Sequence, residues 1–440
     1  MDAKDGDGSG MEEMILPWQD EVRRNASRID QRGDSLVRSS SARQASEWTV
    51  PVLSPTFRPV EALASLHGTF HAEQKNMKIK EVVRVLDQWA PPVLQEEYDN
   101  CGLQTGDPEA EVDSALITLD CTEAVVAEAV KHECGLIITH HPVIFKGVKS
   151  LTGRNEVERT LLAAIRANVA IHAIHTNLDN VIDGVNSEIA SRLGLKSLQV
   201  LDPKPGQLRK LSVFVPNSHS DAVRDALFSA GAGHLGAYDE CSFNTVGMGT
   251  FRAGEGTSPF VGRHGERHGE EETRVEVLCP AVVEHAVVGA LLAAHPYEEV
   301  AYDLYPLLNT HGGIGSGLLG EWEEGVSEAV FLAKLKAEFG TPVIRHTRLR
   351  GKPVRRVALC GGSGAFLIGK ALDAGADAYV TGDVKYHEFF LPEGRLLLAD
   401  IGHFESEQFT PVLIQRRLAG ILPTFATRLS ETGTNPIHFH

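Results

Sequence analysis

Apolar residues recur at helical spacing from Met77 onward. In MKIKEVVRVLDQWAPPVLQ (77–95), Ile79, Val82, Val83, Val85 and Leu86 follow a 3.6-residue period, and Pro91-Pro92 ends the run. SALITLD (114–120) is apolar without alternation, which predicts a strand buried on both faces. TEAVVAEAVKHE (122–133) then reads as a helix opened by Thr122, and GLIITHH (135–141) as a second strand. The alternation continues with a helix over NEVERTLLAAIRANV (155–169), a strand over AIHAIHTNLD (170–179) and a helix over GVNSEIASRLGL (184–195). Strands alternating with helices indicate βαβ units and a largely parallel sheet, and open sheets of that kind bind ligands beyond their strand C-termini.

The rhythm changes near residue 207. RKLSVFVP (209–216), SDAVRDALFSAG (220–231), a glycine-rich extended stretch over 233–253, TRVEVLCP (273–280), AVVEHAVVGALLAAH (281–295) and EVAYDLYPL (299–307) give the order βαββαβ. That order fits a ferredoxin-like α+β domain. VRRVALCGGSG (354–364), FLIGKALDAG (366–375), DAYVTGD (377–383), GRLLLADIGHFESE (394–407) and TPVLIQRRLAGIL (410–422) then restore strand–helix alternation. The fold class expected is therefore α/β, in two sequence halves (77–206 and 309–424) interrupted by an α+β insert over 207–308. Residues 425–440 are expected to be a C-terminal tail. Residues 1–76 mix charge with serine and glycine without an apolar period, which predicts a disordered arm. A transit peptide would avoid the acidic residues present there.

Hydrophobic residues make up 42% of the 440, enough for a sizeable core, and the formal charge is −17. That charge argues against a nucleic-acid groove or an anionic membrane as partner. No run of 18 apolar residues marks a membrane span. The six cysteines are scattered with no CxxC pair, a pattern suited to reduced thiols in a cytoplasmic protein.

Five residues combine type with position. His140 and His141 follow one strand, Asp179 follows another, and His403 and Glu407 stand four apart after RLLLAD. In a strand, adjacent histidines point to opposite faces, so a turn at Pro142 has to bring both rings to one side. A helix starting at His403 would put its imidazole and the Glu407 carboxylate on one face. Histidine with carboxylate suits zinc, iron or manganese. One carboxylate can bridge two such ions, and a pair of that kind makes a strong nucleophile from water at neutral pH. Each element alone is as compatible with hydrogen-bonded surface residues; the convergence of three strand ends favours a metal site.

DNCGLQTGD (99–107), ITHHPVIFKGVKSL (138–151), HTNLDNVIDGVN (175–186), CGGSG (360–364), TGDVKYHE (381–388) and DIGHFESE (400–407) closely resemble the GTP cyclohydrolase 1 type 2 homologue family of dinuclear-metal proteins, also called NIF-three-like, over about 77–424. The resemblance implies His140, His141, Asp179, His403 and Glu407 as ligands of two divalent cations, with Glu407 bridging. GAGHLGAYDECSF (231–243) and AHPYEEVAYDLYPL (294–307) resemble the PII/CutA-like insert of long YqfO-type members. The family resemblance also implies a homohexamer and a small-molecule substrate, with a nucleotide as the candidate; no phosphate-loop or base-reading motif supports guanine.

The leading reading is a metal-dependent hydrolase acting on a nucleotide or phosphoester. The alternative is a metal-binding regulatory or scaffold protein without turnover. His387 is the candidate proton donor near the metals. Asp99 and Asn100 could contact substrate or form a turn. Gly361, Gly362 and Gly364 could cradle a phosphate or form a tight strand-to-helix turn. His295, Glu298 and Glu299 read as a loop or interface of the insert, outside the site.

Overall fold

The unbroken apolar runs become strands covered on both faces. In the computed structural model, which describes residues 76–440, Ser114–Thr118, Leu136–Thr139 and Ala170–Ala173 lie parallel. Gly102–Thr105 closes that sheet antiparallel to the last of them. The arm expected over 1–76 lies outside the described residues except for Asn76.

A second sheet is built around Val354–Ser363, Ala378–Gly382 and Leu397–Asp400, also parallel. Gly315–Val326, Lys196–Pro203 and Arg345–His346 complete it with antiparallel pairings. Alternate side chains of each sheet enter different cores. Ala115, Ile117, Leu359 and Val380 face a shared interior that also takes Leu86, Ile189, Leu335 and Ile414 from four helices: Ile79–Trp89, Val185–Leu193, Glu328–Phe339 and Thr410–Ile421. Leu116 and Ile137 face outward onto Glu123–Lys131 and Glu156–Arg166, and Tyr379 and Leu398 onto Ile368–Asp373. The result is helices, sheet, helices, sheet, helix. The C-terminal ends of both parallel sets are free to carry side chains.

Local chemistry fixes the helix ends. Thr122 and Asn155 accept the amides of Val125 and Glu158 at their respective N-termini, as N-cap oxygens do. Gly194 ends Val185–Leu193 with a φ of 71°, where a side chain would be strained.

The insert forms its own antiparallel sheet in the order Tyr302–Pro306, Leu208–Pro216, Arg267–Pro280, Ser242–Arg252. Helices Ser220–Ser229 and Glu284–Ala294 cover one face through Val223, Leu227, Val287 and Leu291. The flanking strands pair with each other, Gly315 opposite Pro203, so the insert leaves and rejoins the body at neighbouring points.

Residues 425–440, read from sequence as a tail, carry a strand: Ala426–Leu429 pairs in parallel with Ser114–Thr118 at the sheet edge. Four residues without a sustained apolar run gave no signal of it. The Glu128 carboxylate anchors the residues just beyond this strand, accepting the hydroxyls of Ser430 and Thr432 at 2.6 Å each and the Glu431 amide at 2.7 Å. Burial opposes its ionisation, but these donors hold its pKa down at about 2. A carboxyl depressed in the folded state contributes stability above its unfolded pKa and loses it as pH falls. Amide-exchange protection over 426–432 should therefore decline as the pH drops below about 4.5 toward 2. Glu128→Gln should show the same loss at neutral pH while the central strands stay protected; full protection in that variant would contradict this role. Among the described residues, no helix is long and apolar enough to cross a membrane.

Candidate metal centre

The two sheets aim their strand ends at one cluster. After Leu136–Thr139 the chain keeps its backbone pairing for two more residues, His140 N–H donating to Thr118 O and His141 N–H to Leu119 O. The turn then brings the two imidazoles together, centroids 4.9 Å apart. His140 is fully buried. Its Nδ1 lies 2.8 Å from the carbonyl of Ile174, which can only accept, so Nδ1 carries the proton and Nε2 is a bare lone pair. Nε2 has no hydrogen-bond partner and stands 3.7 Å from Asp179 Oδ1, which also has none. Two orphaned buried polar atoms facing each other across that gap are costly unless something binds both.

From the second sheet, His403–Glu407 forms one helical turn. The i,i+4 spacing sets His403 Nε2 3.0 Å from Glu407 Oε2. The same oxygen lies 3.0 Å from His141 Nε2, while Oε1 lies 3.9 Å from His140 Nε2. Glu407 thus stands between two sets of donors, His140 with Asp179 and His141 with His403, each set close enough with Glu407 to hold a cation. All five residues expected from the sequence converge here.

Each histidine is oriented from behind. Asp120 Oδ1 accepts His141 Nδ1–H and Asp383 Oδ2 accepts His403 Nδ1–H, both at 2.7 Å. Carboxylates or carbonyls behind histidines that present Nε2 are the usual support of metal ligands. Asp120 and Asp383 carried no such expectation from the sequence, although each is the last residue of a predicted strand segment. Replacing Asp120 with asparagine should cut divalent-metal affinity about 10–100-fold, read by competition with a chromogenic chelator; unchanged affinity would remove Asp120 from the site.

Electrostatics separate the groups. Burial disfavours charge on His141 and His403, but Glu407 with Asp120 pushes His141 up to about 10, and Glu407 with Asp383 lifts His403 to about 9. Burial lowers His140. Burial and the neighbouring Glu407 charge raise Asp179 well above the usual carboxylate range. Burial also opposes charge on Glu407, yet the surrounding histidines hold its pKa well below the ordinary value.

His175 is a further residue of the cluster. It groups with His140 and His141 and is held through Nδ1 by Asp99 at 2.8 Å. The Asp99 side chain is fully enclosed and also accepts from Thr176, so it positions His175 and does not reach substrate. Asn100 donates to the carbonyl of Ile144 at 2.6 Å, tying down the loop after His141. The glycine run offers no phosphate cradle. The Gly361, Gly362 and Gly364 amides donate to Asn186, Ser406 and Thr381, each at 2.9 Å. Its role is close approach: at φ 57°, a Cβ on Gly362 would meet Glu407 Oε1 at 2.4 Å. His387 lies on the exposed turn Tyr386–Phe390, edge-on to Tyr386, and is not among the residues lining the cavity.

That cavity, about 430 Å³, opens over the cluster between Tyr98, Phe145 and Phe366. Among the described residues, every group of three or more side chains able to hold a metal lies here.

Comparison with known proteins identifies relatives along most of the chain. The chain is 40% identical over 327 residues to the GTP cyclohydrolase 1 type 2 homolog of Halalkalibacterium halodurans, covering 73% of this chain and 87% of the relative. It is 35% identical over 374 residues to that of Bacillus subtilis, covering 83% and 99%. The crystal structure of a Bacillus cereus protein related to NIF3 superposes with a TM-score of 0.74 at 35% identity, covering 84% of this chain and 100% of that one. With the family model matching residues 77–436, the chain belongs to the Duf34/NIF3 (NGG1p interacting factor 3) family.

Proposed function

We propose that the protein is a metal-dependent hydrolase with two divalent cations at this centre, acting on a nucleotide or other phosphoester. The observation that carries the reading is Glu407, with Oε1 turned toward His140 and Oε2 toward His141 and His403. Imidazole and carboxylate donors fit zinc, iron or manganese. When bound, such a pair supplies Lewis acidity and an activated water.

The chain's own residues supply the rest. His140 and Asp179 hold one position and His141 and His403 the other, sharing Glu407. Asp120 and Asp383 fix the ring orientations. His175, anchored by Asp99, faces the cavity and is placed to exchange a proton with bound substrate, the role the sequence suggested for His387. None of the cavity's lining residues is lysine or arginine, so substrate phosphate would be neutralised by the cations. The name borne by the relatives favours a guanine nucleotide among the candidates. A homohexameric assembly and a cytoplasmic setting belong to the same proposal, on family resemblance.

The test is turnover of a panel of nucleotides, cyclic nucleotides and phosphoesters by protein loaded separately with zinc, manganese and iron. Hydrolysis that disappears in Glu407→Gln supports the reading. A fully metal-loaded protein inert across the panel would favour the regulatory or scaffold alternative.

A further inference from the structure

The insert carries a cavity of about 610 Å³ that contributes nothing to the metal cluster. It lies on the sheet face turned away from the helices. Val213 and Val275 pack toward Val223 and Leu291, so their neighbours in the pleat, Phe214 and Arg274, point to the other side along with Glu272. On the adjacent strand, Gly249 leaves room for the Glu272 carboxylate to lie across it; a Cβ there would meet Oε2 at 2.0 Å.

Glu272 is only 8% exposed. Tyr297 donates its hydroxyl to Oε1 at 2.9 Å, and among the described residues Glu272 makes no ion pair. The Tyr297 ring lies 6.2 Å from both Phe251 and Phe260, forming an aromatic wall beside the carboxylate. Of the two arginines lining the cavity, Arg274 is already engaged by Ser212 at 3.0 Å and Glu276 at 2.5 Å, and Arg252 is exposed. Two further carboxylates, Glu298 and Glu299, complete the charged lining.

A carboxylate withdrawn from water without a cationic partner is costly. Aromatic rings around it attract a positive charge through their π faces. A phosphate or other anion would meet repulsion at the same point. We propose that this cavity binds an organic ammonium compound, its cationic nitrogen set between the Glu272 carboxylate and the rings of Phe251, Phe260 and Tyr297. The site is separate from the metal centre and does not depend on the hydrolase reading.

Titration calorimetry on the full-length protein tests this with choline against its uncharged isostere, 3,3-dimethylbutan-1-ol. Choline should saturate at one per chain and bind at least about tenfold more tightly than the alcohol, a gap on the scale of one desolvated cation–π contact with its counter-charge. Glu272→Gln keeps the volume and an acceptor for Tyr297, so it should bring the two probes level while metal content and melting temperature hold. Should that variant misfold, Phe260→Ala, on a half-exposed ring, should still weaken choline several-fold and leave the alcohol little changed. Equal affinities in the parent protein, absence of saturation, or choline binding unmoved by both substitutions would overturn the proposal. Choline binding that appears only on dilution to dissociated chains would assign the cavity to a second copy and also overturn it.

Discussion

Glu407→Gln should leave the protein without bound divalent metal. The substitution preserves size at a position only 3% exposed, so the fold has no steric reason to change. It removes the one charge shared by both donor sets, whose nitrogens lie 3.0 Å from Oε2 on one side and 3.9 Å from Oε1 on the other. Two cations a few ångströms apart repel strongly, and the carboxylate between them offsets that repulsion. Elemental analysis after reconstitution should fall from about two ions per chain to background. His141→Ala, which damages one set, should lose mainly one. A Glu407→Gln protein that keeps both ions would show that the bridge is not needed.

Gly362→Ala should be nearly as severe, although it touches no ligand chemically. At φ 57° an L-residue costs about 1–2 kcal/mol. The new methyl must also displace the Glu407 carboxylate, 2.4 Å away, and the carboxylate is held by histidines on both sides. Together these should lower stability by about 2–4 kcal/mol, combining backbone strain with overpacking. Metal affinity should fall at least tenfold as Glu407 leaves its place. Gly369→Ala is the matched control, because its Cβ would meet nothing within 4 Å on the helix Ile368–Asp373. There alanine should be neutral or mildly stabilising. Denaturant titration and metal competition on the two variants check both statements. Equal behaviour would mean the glycine is not required for close approach.

How much could be read from the sequence depended on the physics of each element. Apolar runs such as SALITLD were legible as buried strands because both faces are covered. The five candidate ligands stood out because residue type coincided with strand ends, and the resemblance selected the three histidines among them from the 19 in the chain. Lys196–Pro203 and Gly315–Val326 were passed over; polar residues interrupt the first and glycines the second, and it is their pairing with each other and with Val354–Ser363 that explains them. The Ala426–Leu429 strand pairs with Ser114–Thr118, and the residues after it are held by Glu128, both some 300 residues earlier in the chain. Asp120, Asp383 and the Asp99–His175 pair were invisible for a related reason: their roles lie in groups they touch at neighbouring strand ends, 20 to 76 residues away in the chain. Likewise the glycine run was open to an anion cradle or a tight turn, and what decides between them is that its amides donate to Asn186, Ser406 and Thr381.

The most direct measurement is an anomalous difference map from crystals of the full-length protein equilibrated with manganese or zinc. Two peaks about 3.5–4 Å apart are expected, one among His140, Asp179 and Glu407 and the other among His141, His403 and Glu407. A single peak held by His140, His141 and His175, or no peak beside Glu407 at saturating metal, would contradict that arrangement.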